Sequence, residues 1–380
     1  MKKRIAILGA TGSIGRQVLE VISDEYEIVL VSADKQGALL SEQFSNTDNL
    51  TIVSNSQYEV SSNDKRIHLF STECLSDPNT FKNVDVVVNG IGGIWGIAPS
   101  FAVLNSGAKL ITANKETFVA CGYLFMNRAK ELDKKVGVDI IPIDSEHSAI
   151  WQCLRGEDFS SLEKITLTAS GGAFRDLSKE KIGSLSGEDA LNHPTWKMGK
   201  KVTVDSATLM NKGFEIIEAK HLYSCNNIEV IIHRESIIHS MVTFKDGTSK
   251  LQFSAPDMRF PISYALTEPN RNSLGTGLKT MSLYDLAGLD FSVPDYDKFP
   301  CLKIATEVNE INDDYPSAVM CASDEICVEL YLKNLISFYQ ISDIISLTLK
   351  EFRVGKINNP ADVLSIYTKV REYILSIIGG

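Results

Sequence analysis

The apolar run Ile5-Ala6-Ile7-Leu8 leads without interruption into Gly9-Ala10-Thr11-Gly12-Ser13-Ile14-Gly15, and no other stretch restricts the fold as strongly. A strand that turns on glycines straight into a helix lets the backbone approach a pyrophosphate. The charge of that group then rests on free N–H groups at the helix N-terminus. Thr11 and Ser13 add hydroxyl donors. A tight turn with no ligand is the plainer reading, and alone the motif indicates a nucleotide and says little about chemistry. At the end of the second strand Lys35, within Ser32-Ala33-Asp34-Lys35-Gln36, suits a 2′-phosphate, whereas Asp34 suits a free 2′-hydroxyl. The two signals oppose each other.

The same alternation continues through the first 143 residues. Short β-branched runs predict strands at 3–8, 28–32, 51–53, 84–89, 109–112 and 137–142, and helical spacing predicts helices at 15–23, 37–44, 97–106 and 120–132. Strands that are apolar almost throughout fit a parallel sheet covered on both faces, so the class is α/β with an N-terminal Rossmann-like sheet. From about residue 144 the texture changes to strands separated by longer loops, predicted at 164–168, 229–232, 241–244 and 249–253, with a hairpin turn at Lys245-Asp246-Gly247-Thr248. This predicts an α+β domain over 144–269. Residues 270–298 read as a connecting segment, and 299–380 as a bundle of about four helices, the last with Asn359 as a cap and Pro360 in its first turn.

Composition narrows the class. A chain of 380 residues with 44% apolar and 23% charged residues is ordinary globular protein, and a formal net charge of −10 argues against a nucleic-acid surface. The basic start Met1-Lys2-Lys3-Arg4 precedes an apolar run too short for a signal peptide, and no stretch approaches the roughly 20 apolar residues of a membrane span. The seven cysteines, Cys74, Cys121, Cys153, Cys225, Cys301, Cys321 and Cys327, are scattered without a C-x-x-C pair. They read as buried thiols of a reduced cytoplasmic protein.

Chemistry concentrates in two stretches, Asp144-Ser145-Glu146-His147 and Asp205-Ser206 through Asn211-Lys212-Gly213-Phe214-Glu215. Asp144 and Glu146 lie two apart at the end of an apolar strand, and a helical turn aligns Asn211 with Glu215 beside Lys212. Oxygen donors without Cys or His favour Mg²⁺ or Mn²⁺ over Zn²⁺. Such an ion can polarise a carbonyl as a Lewis acid. Against this stands a plain alternative, in which Asp144 caps a helix and Glu215 pairs with Lys212 on a solvated face. The Ser170-Gly171-Gly172 turn and the Asp205-Ser206 helix start add donors for an anion, and His193 with Trp196 and Met198 adds a donor and an apolar cover. His233 and His239, flanking Glu235 in Ile-rich sequence, read as strand and turn residues rather than metal ligands.

The chain resembles the 1-deoxy-D-xylulose 5-phosphate reductoisomerase family over nearly its whole length. The likeness is carried by GATGSIG, TANKET around Lys115, PIDSEHSAI at Asp144, LTASGGAF at Ser170, the long block from Asn192 to Ala219, IIHSMV and FPCLKIA. The resemblance implies a homodimer whose protomers carry an NADPH-binding domain over 1–143, a catalytic, metal-binding and dimerisation domain over 144–269 and a C-terminal helical domain. It implies Asp144, Glu146 and Glu215 as ligands of the divalent ion. Lys115, Ser145, Glu146, Ser170, His193, Trp196, Ser206, Asn211, Lys212 and Glu215 are implied as substrate-side residues, with Lys115, Glu146 and His193 catalytic. Cofactor contacts are implied at Thr11, Gly12, Ser13, Ile14, Lys35, Gln36, Asn114, Glu116 and Gly199, and 192–200 is implied as a lid. The implied reaction isomerises a deoxyxylulose phosphate and reduces the product with NADPH. Ala173, Arg234-Glu235, Cys321 and Asp324 depart from the family pattern, the last two replacing asparagines.

Other enzymes that share the glycine turn fit less well. A semialdehyde dehydrogenase needs a nucleophilic cysteine in a Gly-rich helix start, and an extended short-chain reductase needs Tyr-x-x-x-Lys; neither is present. A binding protein that kept the fold without the chemistry is the rival from another class.

Overall fold

The computed structural model describes residues 1–274 and 277–379. Residues 275 and 276, inside the predicted connecting segment, lie outside the described residues, as does residue 380. The chain forms two compact units: Met1–Asn114 with Arg128–Asp144 and Met258–Thr276, and Lys115–Asn127 with Ser145–Asp257 and Gly277–Gly380.

The first unit is built on seven parallel strands, β1 (Lys3–Leu8), β2 (Tyr26–Ala33), β3 (Thr51–Ser54), β4 (Ile67–Leu69), β5 (Val86–Asn89), β6 (Lys109–Thr112) and β7 (Ile140–Pro142), in the order β4-β3-β2-β1-β5-β6-β7. Ile5 to Leu8 of β1 are fully buried, as a central strand covered on both faces must be. The chain runs from β1 outward to β4, then returns to β5 on the other side of β1. Strand order therefore reverses between β1 and β5, where ligands of open α/β sheets bind beyond the strand C-termini. Strand β4 was not predicted: it is only three residues long, too short for its Ile-His-Leu alternation to stand out, and its two apolar side chains are exposed.

The second unit holds a mixed sheet of β8 (Leu162–Ala169), β9 (Ile228–His233), β10 (Ile238–Phe244), β11 (Ser249–Phe253) and β12 (Phe291–Ser292), in the order β11-β10-β8-β9-β12. β8 and β9 run parallel, and the other pairs are antiparallel. The hairpin forms as predicted, with Phe244 donating its N–H to Thr248 O at 2.8 Å and Gly247 at φ +85°. β12, two exposed residues in the predicted connecting segment, was not foreseen.

Four helices close the chain: Pro300–Glu310, Asp314–Leu332, Phe338–Glu351 and Ala361–Ile378. Pro360, predicted in the first turn, takes the cap position of the last, and Asn359 one residue earlier accepts the Ala361 N–H on its Oδ1 at 2.9 Å. Gly213 lets Met210–Tyr223 approach Pro300–Glu310, since a Cβ there would lie 2.3 Å from the Ala305 methyl. Helix Glu116–Glu131 starts four residues before its predicted position and is kinked at Cys121 (φ −140°, ψ 27°). The N–H groups of Tyr123 and Leu124 beyond the kink are taken up by the buried Asp314 carboxylate, at 2.9 Å each. All seven cysteines are free thiols, six of them buried. No helix among the described residues is long and apolar enough to cross a membrane.

Candidate active site

Asp144 lies just beyond β7 and immediately before helix Ser145–Leu154, so it stands two positions from Glu146 at a helix start. Glu215 comes from helix Met210–Tyr223, which is separated from helix Lys200–Thr208 by Leu209 in the left-handed region (φ 61°). That break re-aims the chain, so that Asn211, Lys212 and Glu215 share one buried surface. One carboxylate oxygen each of Asp144, Glu146 and Glu215 lies within 4.8 Å of the others.

Like charges this close need compensation, and two lysines supply it. Lys212 Nζ lies 2.9 Å from Glu146 Oε1 and 2.5 Å from Glu215 Oε2. Lys115 Nζ donates to Asn211 Oδ1 at 2.7 Å and reaches Glu215 Oε1 at 3.3 Å. Asn211 Nδ2 donates to Glu215 Oε1 at 2.6 Å, the i, i+4 contact predicted for this turn, and Ser145 Oγ donates to Glu146 Oε2 at 2.6 Å. Burial alone would push the Lys212 ammonium down, but Glu146 and Glu215 outweigh it and hold it above its ordinary value. Lys212 and Glu215 do pair, yet in the interior rather than on a solvated face, with side chains 4% and 1% exposed. Three carboxylates facing two ammonium groups leave the cluster one negative charge in excess, and every donor is oxygen. The residues present therefore fit a hard divalent cation.

A second group of side chains is arranged for an anion. Gly171 and Gly172 both require positive φ (+85° and +73°), and a Cβ on Gly172 would lie 2.3 Å from Ser206 O, so the Ser170 turn presses directly on the helix segment carrying Ser206. His193 Nδ1 accepts the backbone N–H groups of Thr195 (3.1 Å) and Trp196 (2.9 Å), which places the ring proton on Nε2. That nitrogen donates to Ser170 Oγ at 2.9 Å. Burial, helped by the nearby Arg175 guanidinium, lowers His193 to about 4, so the ring acts as a neutral donor near pH 7. Sequence reasoning missed Arg175, which donates to Ser170 O (2.8 Å) and Arg234 O (3.1 Å). The one available signal was its position as the first cation after the glycine pair. The Trp196 ring lies 6.2 Å from the His239 ring, which bonds Ser254 Oγ at 2.9 Å. His233 Nε2 accepts the Ile237 and Ile238 N–H groups at 3.1 Å each, the turn role expected for it.

In the first unit the glycine turn has the form that an anion-binding helix start requires. Gly9 sits at φ +73°, and a Cβ there would lie 3.0 Å from Gly90 O beyond β5. Gly15 admits no side chain at all, since a methyl group there would stand 2.4 Å from both Gly9 O and Ala10 Cα. Helix Ser13–Val21 has no side-chain cap and no carboxylate in its first turn, so its leading N–H groups are available to Thr11, Ser13 and a ligand rather than to an internal acid. Asn114 is buried and donates to Ile91 O (2.9 Å) and Gly93 O (2.8 Å), bracing the loop after β5. Asp34 is engaged laterally, its carboxylate accepting Asn55 Nδ2 at 2.9 Å, while Gln36 precedes helix Gly37–Gln43 and Lys35 is exposed. In the second unit Gly199 starts helix Lys200–Thr208, and Glu116 starts helix Glu116–Glu131.

A doubly covered parallel sheet with a phosphate-type turn at its switch point, in one chain with an oxygen-only cation cluster and a neutral-histidine anion pocket, defines a metal-assisted oxidoreductase of the α/β class. Sequence models of one family match in three parts: 1-deoxy-D-xylulose 5-phosphate reductoisomerase over residues 5–122, its C-terminal domain over 140–223, and the DXP reductoisomerase C-terminal domain over 253–373. The chain belongs to the 1-deoxy-D-xylulose 5-phosphate reductoisomerase family. It is 40% identical to the reductoisomerase of Clostridium perfringens over 98% of both chains, and 42% identical to reductoisomerase 1 of Bacillus thuringiensis over 92% of both. Among solved structures it resembles a DOX-P reductoisomerase in complex with NADPH, fosmidomycin and magnesium (TM-score 0.91, 33% identity, 99% of this chain and 98% of that one). It also resembles the Zymomonas mobilis enzyme in complex with NADPH (TM-score 0.88, 30% identity, 100% and 99%).

Proposed function

We propose that this protein is an NADPH- and divalent-metal-dependent reductoisomerase, converting 1-deoxy-D-xylulose 5-phosphate to 2-C-methyl-D-erythritol 4-phosphate in non-mevalonate isoprenoid biosynthesis. The observation that carries the reading is the buried carboxylate trio with its two lysines, whose net negative charge and oxygen-only donors suit Mg²⁺ or Mn²⁺. Asp144, Glu146 and Glu215 hold the ion, which supplies Lewis-acid polarisation of the substrate's carbonyl and neighbouring hydroxyl oxygens. NADPH supplies the hydride, held by Thr11, Gly12, Ser13 and Ile14, with Lys35 and Gln36 at the 2′-phosphate end and Asn114, Glu116 and Gly199 as further contacts.

The side chains then divide the work. Ser170, His193, Ser206, Asn211 and Lys212 bind the phosphate end, His193 as a neutral Nε2–H donor. Lys115, whose ammonium already faces Asn211 and Glu215, orients the reacting hydroxyls and adds positive charge where an oxyanion develops. Glu146, whose Oε2 is oriented by the Ser145 hydroxyl hydrogen bond, serves as the general acid–base group toward a substrate hydroxyl. Trp196, in the 192–200 segment, covers the substrate and excludes water from the aldehyde. Functionally, residues 1–143 form the NADPH-binding domain, 144–269 the catalytic, metal-binding and dimerisation domain, 270–298 a linker and 299–380 the helical domain of a cytoplasmic homodimer.

Oxidation of NADPH and NADH on the deoxyxylulose phosphate, each with and without Mg²⁺ or Mn²⁺, tests the whole reading. Turnover that needs both the metal and NADPH is expected. Metal-independent turnover, or none with either cofactor, refutes it.

A further inference from the structure

Lys201 lies outside every role assigned above, yet its ammonium joins four elements of the second unit. Its Nζ is 2.6 Å from Asp205 Oδ2 on its own helix, 2.8 Å from Asp324 Oδ2 on helix Asp314–Leu332 and 3.8 Å from Glu116 Oε1 at the start of helix Glu116–Glu131, and it lies over the Phe214 ring at 4.8 Å on helix Met210–Tyr223. Three of these four contacts are immediate chain neighbours of site residues: Glu116 follows Lys115, Asp205 precedes Ser206, and Phe214 precedes Glu215. The fourth, Asp324, is fully buried and is one of the positions that depart from the family pattern.

We infer that Lys201 is a positioning residue: a largely buried charge clamp, anchored on the fully buried Asp324, that sets Lys115, Ser206 and Glu215 relative to one another. This rests on the reading of those three residues as substrate- and metal-side groups. The surroundings make the ammonium indispensable, because Glu116, Asp205 and Asp324 converge on it in the interior, with Glu325 close by. Burial and then Asp324 push the Asp205 carboxyl well above its usual range, and burial lifts Glu325 to about 6, so the cluster holds more acid than one lysine compensates. Without the cation these carboxylates would repel, and the three helix segments they sit on would separate by the fraction of an ångström that catalysis resolves.

The clamp is tested with Lys201→Met, Lys201→Arg, Asp324→Asn and the Lys201→Met/Asp324→Asn double variant, each first shown to be folded by circular dichroism. In K201M, kcat/KM on the deoxyxylulose phosphate should fall about 30-fold or more, with KM for substrate rising, as displacement of positioned groups by about 1 Å costs on the order of 100-fold. Removing the uncompensated Asp324 charge in the double variant should recover about 3-fold or more, and K201R should stay within about 5-fold of wild type. Folded K201M with wild-type kcat/KM, or a double variant weaker than K201M, overturns the clamp. Should K201M not fold, D324N carries the test, a rise of about 3-fold in substrate KM supporting the clamp and unchanged KM and kcat overturning it. Were wild-type protein inactive on this substrate, the functional reading would fail separately. Mn²⁺ and inorganic phosphate affinities of wild type and K201M then decide the clamp, weaker binding in the variant supporting it and equal binding overturning it.

Discussion

Replacing Glu215 by Gln changes one charge and almost no volume, which makes it the sharpest perturbation of the carboxylate cluster. The side chain is fully buried and its two oxygens receive three donors: Asn211 Nδ2 (2.6 Å) and Lys115 Nζ (3.3 Å) on Oε1, and Lys212 Nζ (2.5 Å) on Oε2. A glutamine presents one oxygen and one NH₂, so whichever way it turns, a donor faces a donor. One charge-assisted hydrogen bond is lost, about 1.5–3 kcal/mol. Part of this is offset, because the cluster goes from one net negative charge to zero and its carboxylates repel less. The folded protein should therefore survive, with stability lowered by about 1–2 kcal/mol. The cation fares worse, losing an anionic ligand outright. Removing a partner that merely orients a ligand weakens metal binding about 10–100-fold, so loss of the ligand itself should exceed about 100-fold. Calorimetric titration with Mn²⁺ and the NADPH-oxidation assay at saturating metal measure both effects, and NADPH binding, followed by fluorescence, should be nearly unchanged. Mn²⁺ affinity within about 3-fold of wild type, together with retained turnover, would refute the metal assignment of the cluster.

Three further outcomes are expected. Gly15→Ala places a methyl 2.4 Å from Gly9 O and Ala10 Cα, so thermal melting should show about 1–3 kcal/mol of destabilisation and NADPH affinity should drop; normal melting and binding would contradict the turn geometry. His193→Ala removes the Nε2–H donor and should raise substrate KM about 5–100-fold, and because burial keeps the ring neutral down to pH of about 4, wild-type KM should show no histidine titration between pH 8 and 5.5. His221, pressed against Gly122 and lowered to about 4 chiefly by burial, refuses a proton that the unfolded chain accepts near pH 6.5; stability should thus fall as pH drops through that window, by about 2 kcal/mol between pH 7 and 5, a slope that denaturant titration should find flattened in His221→Leu.

The parts of the fold that the sequence disclosed are those where one face is buried and local. Strand β6 and helix Ile97–Ser106 fall on their predicted limits because the helix's apolar face ends at Leu104 just before Gly107 in the left-handed region (φ 90°), and the buried Leu110-Ile111 pair of β6 ends at Thr112. The carboxylate trio was legible from two short motifs, since each supplies its own local geometry. What escaped was set by distant partners. The kink at Cys121 exists because Asp314, nearly two hundred positions away, satisfies the N–H groups it exposes, and nothing near Cys121 announces that. Lys201 reads as one more lysine in Gly199-Lys200-Lys201, and only the folded chain brings Asp324 and Glu116 onto it. The compact units likewise draw 115–127 and 258–276 away from their sequence neighbours, which texture along the chain does not reveal.

Lys212 lies between Glu146 and Glu215, so two of the carboxylates that would hold a dication also face an ammonium. With a dication held there, the cluster that is otherwise one negative charge in excess would carry one positive charge in excess. An anionic ligand is the natural complement. Metal and phosphate should consequently load synergistically, each supplying the counter-charge that the other's arrival leaves wanting, and neither alone should bind as tightly as the pair.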